Sequence, residues 1–419
     1  MSTLAAEPRR MPAATHRSPA ARAWIGALVL VWAAGVAAWI YQLNQGLQVT
    51  GMRDNVMWGL YIVFFMFFVG LSAGGLIVAS AGRLFGVDRF KPIVRLAVLE
   101  ATVAVLIAAT FILPDLGHPE RLLNLLLYAN LTSPMIWDIT VILIYLVLSL
   151  TYVWLYTRRD LAARGSWLAL GTHDTSDAAR ARDERWTKAL AWVALPAAVL
   201  VHSVTAWIFG LQISRGFWYT AIMAPLFISS ALVSGLSLVV LLALALRRIG
   251  RVSFDDGLAS YLGGLLGVFL AVQGFFVFCE ILAGYYPGNE SDAVRRMIEG
   301  PYAPLFALEV ACLVVPFVLV AIGGLRRRPG VVALAALVAV VGIFVHRLNI
   351  VLVGLSNAPL PYPPGTAIGT PLGNGSSFAA TSSYVPTGIE LTIVAGVLAL
   401  GTLLFTLGAW LLPLRDEHH

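Results

Sequence analysis

Charged residues are scarce in this sequence: aspartate, glutamate, lysine and arginine together make up 12% of its 419 residues. An ordinary soluble domain has about twice that share. Apolar residues account for 59% of the chain, and the mean hydropathy is +0.83. This composition excludes a disordered chain, argues against a single soluble domain and is typical of a protein that spans a membrane.

Cysteine is also scarce. Cys279 and Cys312 are too few for a disulfide framework or an all-cysteine metal site, and no Cys-x-x-Cys-His motif for haem attachment occurs. The sequence also has no Walker A motif and no dinucleotide-binding fingerprint. The net charge of +6 is better explained by basic loops at an anionic lipid surface than by nucleic acid. We therefore expect a lipid membrane as a partner, no nucleic acid, and no haem or metal in this chain.

Long apolar runs make up much of the sequence, and each is long enough for a membrane-spanning helix. The first run follows a long basic leader, so we interpret it as a retained helix rather than as a signal peptide. The ten predicted spans are approximately 24–41, 56–81, 93–113, 135–156, 188–209, 219–246, 259–283, 303–322, 331–354 and 389–412.

The basic residues are distributed unequally between alternate loops. One set of loops, which includes both termini, holds 21 lysines and arginines, whereas the other set holds 5. Because loops rich in basic residues stay in the cytoplasm, both termini are predicted to be cytoplasmic. The uncharged loop 355–388 then lies on the outer side, where its length suggests a cover or a docking surface.

An internal repeat relates two groups of four spans. The second and sixth spans share a pattern at the same spacing. Its members are Trp58, Phe67 and Gly74-Gly75-Leu76 in the second span and Trp218, Phe227 and Ser234-Gly235-Leu236 in the sixth. The fifth and ninth spans each contain a histidine, His202 or His346, eight residues before a glycine. The fourth and eighth spans each open with a proline followed by an acid, Pro134 with Asp138 and Pro304 with Glu309. The repeat predicts two related four-helix bundles plus two peripheral helices.

The predicted organisation divides the chain into six parts. They are a cytoplasmic N-terminal tail (1–23), a peripheral helix with its outer loop (24–55), the first bundle (56–210), the second bundle (211–354), the outer loop (355–388), and the last helix with a cytoplasmic tail (389–419). The predicted fold class is an all-α polytopic membrane protein.

Ionisable residues inside membrane spans are energetically unfavourable and therefore mark candidate functional positions. Glu100 is near the middle of the third span, but the others are concentrated in outer halves, and the inner halves are almost purely apolar. An alternative is that these residues pair as structural contacts, for example Arg347 with Glu309 or Glu390. The candidates for a proton path are Glu100, Asp138, His202, Glu280, Glu309, His346 and Arg347.

Carboxylates and histidines beside aromatic rings suit a quinone head group. Its carbonyls accept hydrogen bonds, and its two-electron reduction takes up two protons that such side chains can supply. The residues that this reasoning assigns to a quinone site are Asp115, His118, Asp138 and His202, with Trp58 as a candidate wall.

Several motifs resemble those of the polysulfide-reductase membrane-subunit family, also called NrfD-like. The similarity is to its ten-helix branch, which includes membrane subunits of alternative complex III and of sulfur-metabolism redox complexes, and it extends over spans two to ten. The motifs are Trp58-Gly59-Leu60-Tyr61 with Gly70-Leu71-Ser72-Ala73-Gly74-Gly75, Asp115 to Arg121 with Thr132 to Asp138, Arg215-Gly216-Phe217-Trp218, and Tyr384 to Glu390.

This resemblance implies a haem-free quinone-binding subunit of a respiratory oxidoreductase complex in the bacterial cytoplasmic (inner) membrane. The quinone, menaquinone or ubiquinone, would bind in the first bundle near its outer face, where Tyr61 is the one polar residue of the stretch 60–68. The implied partner is an iron–sulfur cluster subunit on the outer side, with a molybdopterin or multihaem cytochrome subunit. The chain itself would then hold no redox centre and no catalytic residue.

Two other functions remain open at this point. A secondary transporter built from two repeats would place its substrate ligands near the midplane of the membrane, whereas the polar groups here favour the outer half. A passive membrane anchor would need neither the acids nor the histidines within the spans.

Overall fold

The computed structural model describes residues 18–53, 56–172, 174, 176–286, 291–356 and 384–414. Ten of the helices in these residues are long and apolar enough to cross a membrane, which confirms the predicted all-α polytopic architecture. Among the described residues, extended pairing is limited to an isolated bridge between Arg53 and Val56. The ten helices are α1 (Pro19–Gln45), α2 (Leu60–Leu84), α3 (Lys91–Asp115), α4 (Pro134–Ala163), α5 (Asp177–Gly210), α6 (Met223–Arg248), α7 (Asp256–Tyr285), α8 (Ala303–Ala321), α9 (Pro329–Leu355) and α10 (Gly388–Leu411).

Polar residues at the ends of the apolar runs determine where several helices begin. The side chains of Ser18, Ser176 and Asp255 accept hydrogen bonds from the first turns of α1, α5 and α7. Thr387 and Glu390 form a reciprocal capping box at the start of α10. Because its cap is Ser176, α5 begins about three turns before the predicted span and includes a charged segment outside the apolar run.

The helices pack as two rings of four. Helix α2 contacts α3, α3 contacts α4, α4 contacts α5, and α5 returns to α2; helices α6 to α9 close a second ring in the same order. The rings meet where α6 packs against α2 and α5. Helices α1 and α10 pack against each other, and α10 rests on α3 of the first ring. The packing therefore follows the order of spans that the repeat suggested.

The contact between α2 and α6 depends on glycine. A Cβ atom added to Gly74 would lie 2.5 Å from both the carbonyl oxygen of Ala231 and the Cα of Gly235. A larger residue at either glycine would force the two helices apart. Helices in lipid usually associate by close approach through small residues. Lipid tails are as apolar as the helix surfaces, so packing rather than the hydrophobic effect holds the helices together.

The two ends of the molecule carry different groups. We refer to the end with Trp58 and Asp138 as the predicted outer end and to the end with Arg83 as the predicted inner end. Of the loop 355–388, residues 355, 356 and 384–388 are described, and Tyr384 among them contacts the outer end at Leu60.

Candidate functional site

A cavity of about 180 Å³ opens at the predicted outer end of the first ring. It lies between the start of α4, the end of α5 and the segments that precede α2 and α6. Aromatic and polar side chains share its lining, so it offers both a stacking surface and hydrogen-bonding groups. The lining residues are Met57, Trp58, Ser133, Pro134, Met135, Ile208, Gln212, Ser214, Arg215 and Trp218.

Three aromatic rings form one side of this cavity region. The ring centroids of Trp58 and Trp218 are 5.8 Å apart in a stacked arrangement, and Phe209 contacts both indoles edge-on. The indole nitrogen of Trp218 donates a 2.7 Å hydrogen bond to the carbonyl oxygen of Ile350 in α9. This bond fixes the indole at the junction of the two rings of helices, where Gly354 leaves space for it.

A buried acid lies one turn below the cavity. Asp138 is 3% exposed, and its Oδ1 accepts a 2.6 Å hydrogen bond from the hydroxyl of Thr205 in α5. His202 lies one turn further along α5, and neither of its ring nitrogens has a hydrogen-bond partner among the described residues. Because a buried polar atom without a partner is unfavourable, this imidazole is available to a ligand.

Tyr61 and Asp115 belong to a different part of the first ring. The Tyr61 hydroxyl donates a 2.7 Å bond to Gln42 in α1, and the Gln42 amide donates a 2.6 Å bond to the carbonyl oxygen of Pro114. Asp115 lies near Glu390 of α10. These two predicted quinone ligands therefore face the α1–α10 pair, whereas Asp138 faces Thr205 of α5 and buried His202 lies close enough to Arg347 of α9 for the two side chains to interact electrostatically.

Glu390 organises the predicted outer end of that pair. Its two carboxylate oxygens accept bonds from the Tyr384 hydroxyl at 2.6 Å and from the Gly51 amide at 2.7 Å. Tyr384 in turn accepts a 2.9 Å bond from the amide of Leu60, the first residue of α2. Burial and the hydrogen bond to Glu390 raise the pKa of Tyr384, so this hydroxyl stays protonated over the physiological range. The cluster thus joins the end of loop 355–388 to the start of α2.

His118 lies outside every helix of the first ring. Its side chain is 65% exposed, and its Nδ1 is 2.8 Å from Glu120. A hydrogen bond from its own backbone and the contact with His118 lower the pKa of the Glu120 carboxyl. The structure therefore places this predicted quinone ligand at the surface, whereas Asp138 and His202 are buried.

The second ring contains a related buried cluster. Glu309 of α8 is 2.8 Å from Nδ1 of His346 and accepts a 2.6 Å bond from the amide of Asn349. Asn349 follows His346 by three residues, just as Thr205 follows His202. In both rings the residue at this position donates to the acid of the preceding helix, which agrees with the repeat.

Arg347 is fully buried beside this cluster. Its Nη2 donates a 2.5 Å bond to the hydroxyl of Ser230, and its guanidinium lies 3.7 Å from the ring centroid of Phe227. Glu280 and Glu309 are close enough to act on its charge. Glu309 directs its hydrogen bonds to His346 and Asn349, whereas Arg347 donates to the Ser230 hydroxyl and to the Phe227 carbonyl oxygen of α6.

Glu100 stands apart from both clusters, at mid-depth in the first ring. It is 2% exposed, and neither carboxylate oxygen has a hydrogen-bond partner among the described residues. It lies against Gly75 of α2, where a Cβ atom would overlap the carboxylate. A glycine at this position is therefore what makes room for the acid.

Sequence reasoning missed several polar partners, namely Gln42, Ser72, Tyr145, Thr205, Asn349 and the role of Tyr384 within its motif. Signals for some were present, because Thr205 and Asn349 occupy the same offset from the two histidines. In the part of the chain that the structure describes, no group of three or more histidine, cysteine, aspartate or glutamate side chains could hold a metal ion.

Comparison with known proteins assigns the family. The family model for polysulphide reductase, NrfD, matches residues 48–358. A Halobacterium salinarum protein named as a membrane subunit of dimethyl sulfoxide reductase is 37% identical over 414 residues, which cover 97% of this chain and 94% of the relative. A selenate reductase subunit of Mesobacillus selenatarsenatis is 28% identical, with 91% of this chain and 92% of the relative covered.

A third relative, the Hdr-like menaquinol oxidoreductase integral membrane subunit of Archaeoglobus fulgidus, is 27% identical, with 93% of this chain and 94% of the relative covered. All three similarities extend over nearly the whole of both chains, and all three relatives are named as subunits of reductases or of an oxidoreductase. Since the family model spans most of the sequence, this chain belongs to the polysulphide reductase NrfD family of membrane oxidoreductase subunits.

Proposed function

We propose that this protein is the quinone- or quinol-binding membrane subunit of a respiratory oxidoreductase complex. The observation that carries the proposal is the 180 Å³ cavity with its stacked indoles, placed one turn above the buried pair of Asp138 and Thr205. A flat head group suits the aromatic wall, and its carbonyls suit the polar groups of the lining. The relative named as a menaquinol oxidoreductase subunit supports menaquinone as one candidate substrate, and ubiquinone is the other.

Asp138 and His202 have the chemistry for the proton steps. Reduction of a quinone takes up two electrons and two protons, and oxidation of the quinol releases the same number. A buried carboxyl group and an imidazole without a partner can each hold a proton beside the substrate and pass it on. Tyr61, Asp115 and His118 are separated from the cavity lining, so we assign them to the surrounding structure in this proposal.

Electrons come from a partner in this proposal. We assign that role to an extracytoplasmic iron–sulfur subunit, with a molybdopterin or multihaem cytochrome subunit beyond it, docked on the predicted outer end. This orientation, with both termini in the cytoplasm, follows the distribution of basic loops. We assign the chain to a bacterial inner membrane as part of the same proposal. The predicted docking loops are 284–302 and 355–388; residues 287–290 and 357–383 lie outside the described residues.

Binding of a quinone to the intact complex tests the proposal. A short-chain menaquinone analogue is titrated into the purified complex in lipid nanodiscs, with wild type, Asp138→Asn and His202→Gln compared. We expect each substitution to weaken binding or turnover by about tenfold or more, since loss of one proton-exchanging group has effects of this size or larger. Asp256→Asn, an exposed partner of Arg247 at the opposite end of the second ring, is the control.

Two outcomes would contradict the proposal. If wild type binds no quinone, the alternative of a passive anchor is favoured. If quinone binds but neither Asp138→Asn nor His202→Gln alters binding or turnover, the site lies elsewhere. Crosslinking from Tyr362 or Phe378 tests the partner separately, because contacts formed only by the basic loops would place the iron–sulfur subunit on the opposite side of the membrane.

A further inference from the structure

A groove of about 490 Å³ opens at the predicted inner end, with walls from both rings of helices. Arg89, in the turn between α2 and α3, comes from the first ring. The start of α7 and Arg326, in the turn between α8 and α9, come from the second. Within the part of the chain that the structure describes, no acidic residue lines this groove. Its lining is therefore basic where it faces the water and apolar where it follows α7 into the membrane.

The two arginines of the groove have no acid to pair with among the described residues. The guanidinium of Arg89 lies 5.4 Å from the ring centroid of Tyr261 in α7, which is an aromatic contact and not an ion pair. The Nε of Arg326 is buried and has no hydrogen-bond partner among the described residues. Because a buried N–H group without an acceptor is unfavourable, Arg326 lacks an anion that would satisfy it.

The acids nearest in sequence to the groove are already engaged. On the first ring, Asp88 pairs with Lys91 at 3.0 Å. On the second ring, Asp256 pairs with Arg247 at 2.7 Å, and Asp255 caps the first turn of α7. The positive charge of the groove is therefore not neutralised by these acids.

Glycines of α7 hold Arg326 in place. A Cβ atom added to Gly263 would lie 3.2 Å from the Cγ of Arg326, and one added to Gly264 would lie 3.2 Å from its Nη1. The side chain of Arg326 therefore lies across α7 at these two glycines. This contact directs the guanidinium to the groove instead of leaving it free in the water.

The groove continues into an apolar face of α7. Tyr261, Gly264, Val268, Val272 and Phe275 are separated by three, four, four and three residues, which places them on one face of the helix. The last three are exposed. At 1.5 Å per residue this face extends about 21 Å, which exceeds the roughly 15 Å of hydrocarbon in one leaflet. An acyl chain can therefore lie along it below a head group in the groove.

A neighbouring cavity of about 380 Å³ in the first ring lacks this combination. Its lining contains five basic and four acidic residues, so its charge is nearly balanced. Arg95 in that cavity, for example, lies 2.5 Å from Asp160. The excess of unpaired positive charge beside an exposed apolar helix face distinguishes the groove.

We propose that this groove binds the phosphate of an anionic phospholipid in the leaflet at the predicted inner end. Arg89 and Arg326 donate hydrogen bonds to the phosphate oxygens, for which guanidinium geometry is well suited. Basic pockets between membrane helices on the cytoplasmic side have the charge that such head groups require. The lipid then links the two rings at the inner end, as the stacked indoles link them at the outer end. The site is separate from the proposed quinone cavity and does not depend on quinone binding.

Thermal unfolding of the purified full-length protein tests the chemistry of the ligand. The protein is stripped of lipid in a neutral detergent, and its unfolding midpoint is followed as phosphatidylglycerol, phosphatidylcholine with the same chains, or inorganic phosphate is added. A ligand that binds only the folded state raises the midpoint with its concentration. We expect phosphatidylglycerol to raise it at concentrations at which the other two have little effect.

Substitutions of the two arginines test the site. We expect Arg89→Gln and Arg326→Gln each to weaken the affinity for phosphatidylglycerol by about tenfold or more, since each removes a hydrogen bond to a charged group. Arg326→Lys keeps the charge and should retain part of the affinity. Arg185→Gln is the matched control, because Arg185 is exposed at the same end and bonds to a carbonyl of its own helix α5.

Photolabelling of wild type locates the lipid without depending on how the variants fold. We expect a phosphatidylglycerol with a photoreactive group at the top of one chain to label α7 between residues 257 and 275. Equal midpoint shifts with phosphatidylcholine would show that the groove does not select an anionic head group. An equal shift with inorganic phosphate would assign the groove to a soluble anion. Labels confined to other helices, or unchanged affinity in both glutamine variants, would place the lipid elsewhere, and each of these results overturns the proposal.

Discussion

The indole rings of Trp58 and Trp218 stack with their centroids 5.8 Å apart and their planes inclined by 28°. The two residues occupy equivalent positions in the internal repeat, one before α2 and the other before α6. Their stacking joins the two rings of helices at the outer end and forms a wall of the 180 Å³ cavity.

The first prediction concerns this wall. We expect Trp58→Leu to weaken binding of a menaquinone analogue by about twofold to tenfold, since an aromatic pair contributes about 0.5–1.5 kcal/mol beyond its buried area. Isothermal titration of the complex in nanodiscs measures the change. Trp192→Leu, at a position in α5 that is 65% exposed, is the matched control. Equal affinities for wild type and Trp58→Leu would show that this ring does not contact the quinone.

The second prediction concerns the contact of α2 with α6. Gly74→Val places side-chain atoms where the Gly235 backbone lies, so we expect the folded state to lose about 1–3 kcal/mol from overpacking. Thermal unfolding in detergent measures the loss. Gly26→Val in α1 has open space around its Cβ position and should leave the midpoint nearly unchanged. Similar midpoints for both variants would show that the helices are not in close contact.

The third prediction concerns the bond from Thr205 to Asp138. Thr205→Val keeps the shape of the side chain but leaves the acid without its donor, which corresponds to about 1 kcal/mol and hence to a several-fold loss of quinone affinity. Thr205→Ser should restore it. Thr110→Val is the control, because Thr110 bonds to a carbonyl of its own helix α3. Equal quinone affinities for Thr205→Ser and Thr205→Val would show that this hydrogen bond does not contribute to the site.

The fourth prediction concerns Tyr384 and alkaline pH. Burial raises the pKa of Tyr384 in the folded protein, whereas the unfolded chain releases the proton near pH 10. Its contribution to stability is therefore complete below about pH 10 and is lost as the pH rises further. We expect the unfolding midpoint of wild type to fall relative to Tyr384→Phe above about pH 10. A constant difference between the two midpoints across that range would contradict a buried, bonded hydroxyl.

The positions of the helices and the order in which they pack could be predicted from the sequence, because apolar runs and matched residues are local features of the chain. Apolar runs define ten spans, and the matched positions of Trp58 with Trp218 and His202 with His346 indicate two groups of four. The start of α5 lies earlier than predicted because its first turns are charged, and a cap such as Ser176 can begin a helix outside the membrane.

Which residues belong to the site was harder to predict from the sequence. Tyr61 and Asp138 both lie near the outer end, but they face different neighbours, and the rotation of each helix depends on packing that no local pattern specifies. The buried hydroxyl groups of α4 were not predicted for another reason. The buried side chains of Tyr145, Ser149 and Tyr152 are uncharged at neutral pH, so the pattern of charged residues makes the inner halves of the spans look apolar.

Photoaffinity labelling of the intact complex tests the central claim most directly. A quinone analogue with a photoreactive head group is bound, irradiated and located by mass spectrometry of the peptides. The account predicts labels around the cavity, in residues 133–138 at the start of α4 or in residues 205–218, which run from the end of α5 into the segment before α6. Labels confined to α8 and α9, or to the neighbourhood of Gln42 and Tyr61, would contradict it.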